Sequence, residues 1–205
     1  MLTAHRIRNR IGVKMKKVML IGDSHTKTTF PMISDLLIDN GYDIVDAVSN
    51  IGWATYSYNR DSSDLEYGLS QNPDIIIVSL GGNNHYLSDA KYKERVDEFL
   101  NLIEANNRRV VWISPFYATD EGVQKRHLWT HNWLRDNLPS KIKYIDIMQY
   151  TPKIGSDGVH YPKSSYTQIV DSISNELLQS IKSSVLPKLL IAGVVASIFF
   201  LRGKR

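Results

Sequence analysis

The sequence predicts an α/β protein in which a parallel sheet of five strands lies between two layers of helices, followed by a C-terminal hydrophobic helix. Two observations carry this prediction. Short apolar runs alternate along the chain with longer amphipathic segments, an order typical of strands joined by crossover helices. The strongest run, Asp74–Leu80, is apolar on both faces. Such a run indicates a central strand with helices packed on both sides.

Five short apolar runs, bounded by polar residues, glycine or proline, are the predicted strands. They are Val18–Ile21, Tyr42–Val48, Asp74–Leu80, Arg109–Ser114 and Lys143–Ile147. Right-handed crossovers between parallel strands place helices on both faces of the sheet. We therefore expect a three-layer α/β/α sandwich with a flavodoxin-like five-stranded sheet.

Four segments carry apolar residues at helical spacing and are the predicted helices. They are Thr28–Asn40, Lys91–Ala105, Gly122–Asn137 and Ser164–Ser183. For the third helix, the pattern predicts a buried side made of Leu128, Trp129, Trp133 and Leu134. The stretch Asn50–Asp64 is polar and aromatic, and we predict a loop there.

The chain divides into three predicted regions: a basic flexible extension (residues 1–14), a globular domain (15–183) and a hydrophobic tail (184–205). The tail contains the unbroken apolar run Leu189–Leu201 with basic residues on both flanks. The run is shorter than the roughly 20 apolar residues of a spanning helix. We nevertheless expect the tail to bind membrane lipid, as a single-pass or interfacial anchor. A buried C-terminal helix is the alternative, and the flanking charges are too even to orient the chain.

Composition excludes some functions and leaves others open. The 205 residues carry a formal net charge of +4, and much of the excess lies at the two ends, so we expect no nucleic-acid partner. The chain has no cysteine, which excludes disulfides and thiolate metal sites. The apolar run after the basic start is too brief for a secretory signal, so none is expected.

Four short polar motifs lie at predicted strand ends or before the last helix. They are Gly22-Asp23-Ser24-His25, Asn50-Ile51-Gly52, Gly81-Gly82-Asn83-Asn84 and Asp157-Gly158-Val159-His160. Ligands of open parallel sheets bind outside the carboxyl ends of the strands. We therefore expect the four motifs to meet in one site.

The residue types in these motifs fit nucleophilic catalysis. A serine hydroxyl becomes a good nucleophile when an adjacent base takes its proton, and His160 is the candidate base for Ser24. Asp157, three residues earlier, can orient the imidazole and stabilise its charged form. A developing oxyanion needs hydrogen-bond donors, for which the candidates are the amides of Ser24 and Gly52 and the side chain of Asn83.

This set of motifs resembles the SGNH (GDSL-like) hydrolase family from Val18 to about Ser183. The resemblance implies Ser24, Gly52, Asn83 and His160 as the four name-giving residues, with Asp157 as the triad acid. Two positions depart from the usual pattern: His25 replaces the leucine that commonly follows the serine, and Asn84 replaces an aspartate.

The resemblance implies a serine esterase or O-deacetylase that works through an acyl-serine intermediate without a cofactor or metal. The substrate class stays open between a glycan O-acetyl ester and a lipid ester. Aromatic residues near the motifs can stack on sugar rings, which slightly favours a glycan ester; they are Trp53, Tyr56, Tyr58 and Tyr86.

Two other functions are compatible with parts of the sequence. A metal-dependent phosphoesterase would use Asp23, His25 and His85, but the Gly-Asp-x-x-Asp and His-x-His motifs of that class are missing. A membrane-tethered binding or structural protein on the same fold is the second.

We interpret His25 and His85 as rim residues of the pocket. His127 and His131 have metal-compatible spacing, but we expect them to pack at the surface or in the core.

Overall fold

The computed structural model describes residues 14–60, 62–84, 88–105 and 107–182. Within them the chain forms five strands and six helices. The strands are β1 (Lys17–Gly22), β2 (Asp43–Ser49), β3 (Ile75–Ser79), β4 (Arg109–Ile113) and β5 (Lys143–Ile145). The helices are α1 (Thr26–Asp39), α2 (Thr55–Arg60), α3 (Ser63–Ser70), α4 (Asp89–Ile103), α5 (Glu121–Asn137) and α6 (Lys163–Lys182).

The five strands form one sheet in the order β2-β1-β3-β4-β5, and every neighbouring pair is parallel. This order is the flavodoxin-like one, with β1 and β3 adjacent at the point where the chain direction across the sheet reverses. The predicted five-stranded parallel sheet is therefore confirmed. The ends of the predicted strands and helices differ from the observed ends by at most two residues.

Alternate residues of the central strands enter two separate hydrophobic cores. Val18 and Leu20 of β1 pack on one face with apolar residues of α1 and α6. Met19 and Ile21 pack on the opposite face with residues of α4 and α5. All four side chains are fully buried. Because adjacent side chains of a strand point to opposite faces, this pattern gives three layers.

The polar stretch after β2 is more ordered than the sequence indicates. Residues 50–64 were predicted as a loop, but they contain α2 and the beginning of α3, so that prediction is wrong. Ser62 caps α3 by accepting the Leu65 backbone N–H. Tyr58 and Leu65 are buried, which anchors both helices to the sheet. Helices this short lack the repeated apolar spacing that marks longer ones.

The buried side of α5 also differs from its prediction. Leu128 is 46% exposed, while His127, Thr130 and His131 are buried beside Trp133 and Leu134. The predicted buried side was built from apolar residues alone, but these histidines can be buried because they have hydrogen-bond partners inside the protein. The buried face of α5 therefore includes His127 and His131 and leaves out Leu128.

The predicted C-terminal anchor, residues 184–205, and nearly all of the predicted N-terminal extension lie outside the described residues. Across the parts of the chain that the structure describes, no helix is both long and apolar enough to cross a membrane. Membrane attachment through residues 184–205 stays a prediction.

Candidate active site

Ser24 lies in the tight connection between β1 and α1, at the carboxyl edge of the sheet. Two side chains hold this connection, because Thr26 and Ser49 each donate a hydroxyl hydrogen bond to the backbone carbonyl of Asp23. A Cβ at position 22 would collide with the Thr26 side chain, so only glycine allows this close turn. The serine is therefore fixed just before the N-terminus of α1, where the helix dipole favours negative charge.

The structure brings Ser24, His160 and Asp157 into one hydrogen-bonded chain. Ser24 Oγ lies 3.0 Å from His160 Nε2, although the two residues are 136 positions apart. His160 Nδ1 lies 2.7 Å from Asp157 Oδ2. A carboxylate only accepts hydrogen bonds, so Nδ1 carries the proton and Nε2 is free to accept the serine proton. This is the donor and acceptor order that a general base needs.

Asp157 orients the base through both of its oxygens. Its Oδ1 accepts the backbone N–H groups of Val159 and His160, each at 2.9 Å, while Oδ2 binds the imidazole. The Val159 N–H, the His160 side chain and the His160 N–H lower the pKa of Asp157 to about 2. The carboxylate is therefore ionised at neutral pH and can stabilise a charged imidazolium.

Two further candidate residues, Gly52 and Asn83, lie in the connections that follow β2 and β3. Asn83 donates its side-chain N–H to the carbonyl of Trp53, the residue after Gly52, at 3.2 Å. Gly52 has φ +75°, a left-handed conformation that favours glycine. The Asn50 N–H binds the Gly22 carbonyl, which ties this turn to the strand that precedes Ser24. The Asn83 bond to Trp53 was not predictable from the sequence.

His25 does not occupy the position that the sequence indicated. It was predicted at the rim of the pocket, but it is only 4% exposed, so that prediction is wrong. Its ring stacks on Phe116 and its Nδ1 is hydrogen-bonded to the Tyr166 hydroxyl at 2.8 Å. Aromatic side chains from the loop after β4 and from α6 cover His25 and enclose it. Its companion in the prediction, His85, lies outside the described residues.

The two histidines of α5 pack inside the protein, as the sequence interpretation allowed. His127 donates from Nδ1 to the Phe116 carbonyl at 2.6 Å, and His131 Nδ1 is hydrogen-bonded to the Tyr144 hydroxyl at 3.0 Å. Both histidines are buried. Among the described residues, no group of three or more metal-ligating side chains is placed to hold an ion.

Comparison with solved structures relates this arrangement to a group of ester hydrolases. A carbohydrate esterase of family 3 from Talaromyces cellulolyticus is 20% identical, with a TM-score of 0.61 over 83% of this chain and 100% of that chain. A psychrotrophic esterase from Pseudoalteromonas sp. is 14% identical, with a TM-score of 0.63 over 82% and 100%. A GDSL-like lipase from Bacteroides thetaiotaomicron is 14% identical, with a TM-score of 0.58 over 87% and 98%.

The chain has the SGNH hydrolase fold. No protein-family model matches the chain, and no curated protein matches it by sequence. The SGNH likeness therefore lies in the structure and in the four short motifs. The alignments cover 98–100% of these three solved structures, so the shared fold extends over their whole length.

Two buried groups beside the triad predict a particular pH dependence of stability. Burial raises the pKa of Asp23 from 3.8 to about 7, and burial lowers the pKa of His25 from 6.5 to about 3. From about pH 4 to 6.5, the folded state therefore holds a proton on Asp23 that the unfolded state releases, so stability falls as pH rises. The unfolded state holds a proton on His25 that the folded state lacks, so stability rises with pH. The two effects oppose each other.

We expect Asp23→Asn to remove the contribution of Asp23 and leave that of His25. Between about pH 4 and 6.5, the slope of this variant's unfolding free energy against pH should be more positive than the wild-type slope by about 1.4 kcal/mol per pH unit. Urea denaturation at several pH values measures the slope. Asp171→Asn, at an exposed position of α6, is the matched control and should keep the wild-type slope. The same slope in Asp23→Asn and wild type would contradict the prediction.

Proposed function

We propose that the protein is a serine esterase or O-deacetylase that hydrolyses an acyl ester through an acyl-serine intermediate. The observation that carries this proposal is the continuous chain from Ser24 Oγ through the His160 imidazole to Asp157, with contacts of 3.0 Å and 2.7 Å. The SGNH fold supports ester hydrolysis as the reaction class.

In the first half of the reaction, the Ser24 oxygen attacks the ester carbonyl as His160 Nε2 takes the hydroxyl proton. The carbonyl oxygen becomes an oxyanion, and the amides of Ser24 and Gly52 and the Asn83 side chain are the proposed donors. As the intermediate collapses, the ester C–O bond breaks. The imidazolium returns its proton to the departing alkoxide, which leaves as an alcohol.

In the second half, a water molecule attacks the acyl-serine ester. His160 accepts a proton from this water, and the second oxyanion uses the same donors. The acyl–oxygen bond to Ser24 then breaks and the proton passes to the serine oxygen. The products are a carboxylic acid and the regenerated enzyme, so the cycle requires no cofactor.

The alcohol part of the substrate has a suitable surface beside the base. A depression of about 460 Å³ adjoins Asp157 and His160, and Ile154, Tyr161 and Pro162 form part of its wall. A leaving group must lie next to the protonated imidazole, so it can extend over this surface. The depression is open and large enough for a sugar ring. Both a glycan O-acetyl ester and a lipid ester remain proposed substrates.

The aromatic residues after Gly52 give less support to sugar stacking than the sequence indicated. Tyr58 is 1% exposed and donates its hydroxyl to the Gly22 carbonyl, so its ring cannot stack on a substrate. Tyr86 lies outside the described residues. Tyr56 is partly exposed, but the Arg95 guanidinium lies over its ring, 5.4 Å from the centroid. Trp53 is also partly exposed and carries the carbonyl that binds Asn83. We therefore retain Trp53 for substrate contact.

A fluorophosphonate probe tests the proposal directly, because such probes phosphonylate an activated serine. We expect stoichiometric labelling of the wild-type chain, with the label on Ser24 by peptide mass spectrometry. A metal chelator should not change the labelling rate. Lack of labelling together with metal-restored phosphodiesterase activity would instead support the metal-dependent alternative. Lack of both would support a binding or structural protein on the SGNH fold.

Asn83→Ala tests the proposed oxyanion donor. We expect kcat for a short-chain acyl ester to fall about 10²–10³-fold with little change in KM, because the donor acts mainly in the transition state. Steady-state kinetics separates the two parameters. Asn175→Ala, at an exposed position of α6, is the matched control. A rise in KM alone would assign Asn83 to ground-state binding.

A further inference from the structure

The ring of His25 lies between the base and the protein interior. It stacks on Phe116, with ring centroids 4.5 Å apart and planes 11° apart. Its centroid is also 5.0 Å from that of His160, and these two rings are tilted by 31°. The His25 ring therefore lies next to both the base and Phe116, which belongs to the loop after β4. Aromatic groups at such separations attract each other and restrict each other's orientation.

A hydrogen bond fixes the orientation of the His25 ring. His25 Nδ1 and the Tyr166 hydroxyl are 2.8 Å apart and both groups are buried. Tyr166 belongs to α6, while His25 precedes α1, so this bond joins the helix that follows the nucleophile to the helix that follows the base. A leucine at position 25 would offer neither the bond nor the flat ring.

The surroundings keep His25 uncharged. Burial lowers its pKa to about 3, and the nearby His160 and His127 act in the same direction, whereas Asp157 opposes them. Burial also raises the pKa of Tyr166 to about 12, so that side chain remains a phenol. A neutral ring can therefore contact His160 during the reaction without repelling the imidazolium that forms.

We propose that His25 is a positioning residue for the base: its ring supports one face of the His160 imidazole and holds it in line with Ser24 and Asp157. The inference rests on the proposed function, in which His160 moves the proton. Asp157 and Ser24 are hydrogen-bonded to the two nitrogens of the His160 ring, and these bonds leave the ring free to tilt about the line that joins the nitrogens. Contact with a fixed flat ring restricts this tilting, which matters because small misplacements at a reacting centre are costly.

Three variants separate the contributions. His25→Leu removes the ring and the bond, His25→Phe keeps a flat ring but loses the bond, and Tyr166→Phe removes only the hydroxyl. For His25→Leu we expect kcat to fall on the order of 10–10²-fold while KM stays within about twofold. His25→Phe should recover a substantial part of that loss. Tyr166→Phe should lose activity less than His25→Leu.

Tyr144→Phe is the matched control, because it deletes the same atom from another tyrosine–histidine bond, the 3.0 Å contact with His131. It should leave kcat unchanged. Thermal melting shows whether each variant is folded. If His25→Leu does not fold, the comparison of Tyr166→Phe with Tyr144→Phe decides the question.

Proton NMR gives a readout that does not depend on turnover. The Nδ1 proton of His160, bonded to Asp157 at 2.7 Å, should give a downfield resonance that broadens in His25→Leu and is retained in Tyr144→Phe. A wild-type chain that neither hydrolyses esters nor reacts with the fluorophosphonate probe would refute the proposed function, and the resonance would still report on the positioning. Unchanged kcat and an unchanged resonance in folded His25→Leu would overturn the role of His25. A loss confined to KM would do the same.

Discussion

Replacing Ser24 by alanine should lower kcat for a short-chain acyl ester by about 10⁴–10⁶-fold. The variant keeps the β1–α1 connection, because the bonds that hold this turn involve the Asp23 carbonyl and the side chains of Thr26 and Ser49. It removes the oxygen that would form the acyl-enzyme. Initial rates under saturating substrate, with circular dichroism as a check on folding, measure the effect. Loss of fluorophosphonate labelling should accompany the loss of hydrolysis.

The matched control is Ser172→Ala, which removes another serine hydroxyl from an exposed position of α6. Its activity and labelling should equal those of wild type. If Ser24→Ala retains more than about a tenth of wild-type kcat, the nucleophile lies elsewhere.

Asp157→Asn should lower kcat by about 10⁴-fold without disturbing the loop. Asparagine keeps an oxygen that can accept the backbone N–H groups of Val159 and His160, the two 2.9 Å bonds that shape the turn. It replaces the second carboxylate oxygen, which faces the imidazole, with an N–H donor. The imidazole must then accept at Nδ1 and carry its proton on Nε2, where it cannot take the serine proton. The variant therefore separates catalysis from loop structure.

Steady-state kinetics and a melting curve measure both consequences of Asp157→Asn. We expect nearly wild-type melting behaviour together with the large fall in kcat, and Asp171→Asn as an exposed control should show neither change. If kcat falls by less than about tenfold, the imidazole does not depend on Asp157 for its tautomer. In that case the triad would reduce to a Ser24–His160 pair.

The fold was largely predictable because its signals are local and repeated. Five strands and four helices follow from apolar runs and helical spacing, and their alternation along the chain indicates a parallel sheet between helices. The two short helices between β2 and β3 were missed, because α2 and α3 are held by tertiary burial of residues such as Tyr58 and Leu65. Propensity and periodicity over so few residues carry little information.

The meeting of Ser24, His160 and Asp157 was predictable from the sequence, but the contacts that surround them were not. Strand-end motifs predicted that Ser24 and His160 would meet, and the structure places them in contact. The burial of His25 depends on Phe116 and Tyr166, which are distant in sequence and belong to no motif. A histidine next to a reactive serine looks like a pocket residue when only its neighbours in sequence are known.

The proposed triad is divided between the two ends of the domain, which affects when its residues can meet during synthesis. Ser24 leaves the ribosome early, whereas Asp157 and His160 emerge only just before α6. Helix α6 then packs against α1, which joins the last part of the domain to the first. In the proposed mechanism, a nascent chain carries an unactivated serine until residue 160 has been synthesised. Ester hydrolysis would then report a nearly complete domain, because every active fragment must extend from Ser24 to His160.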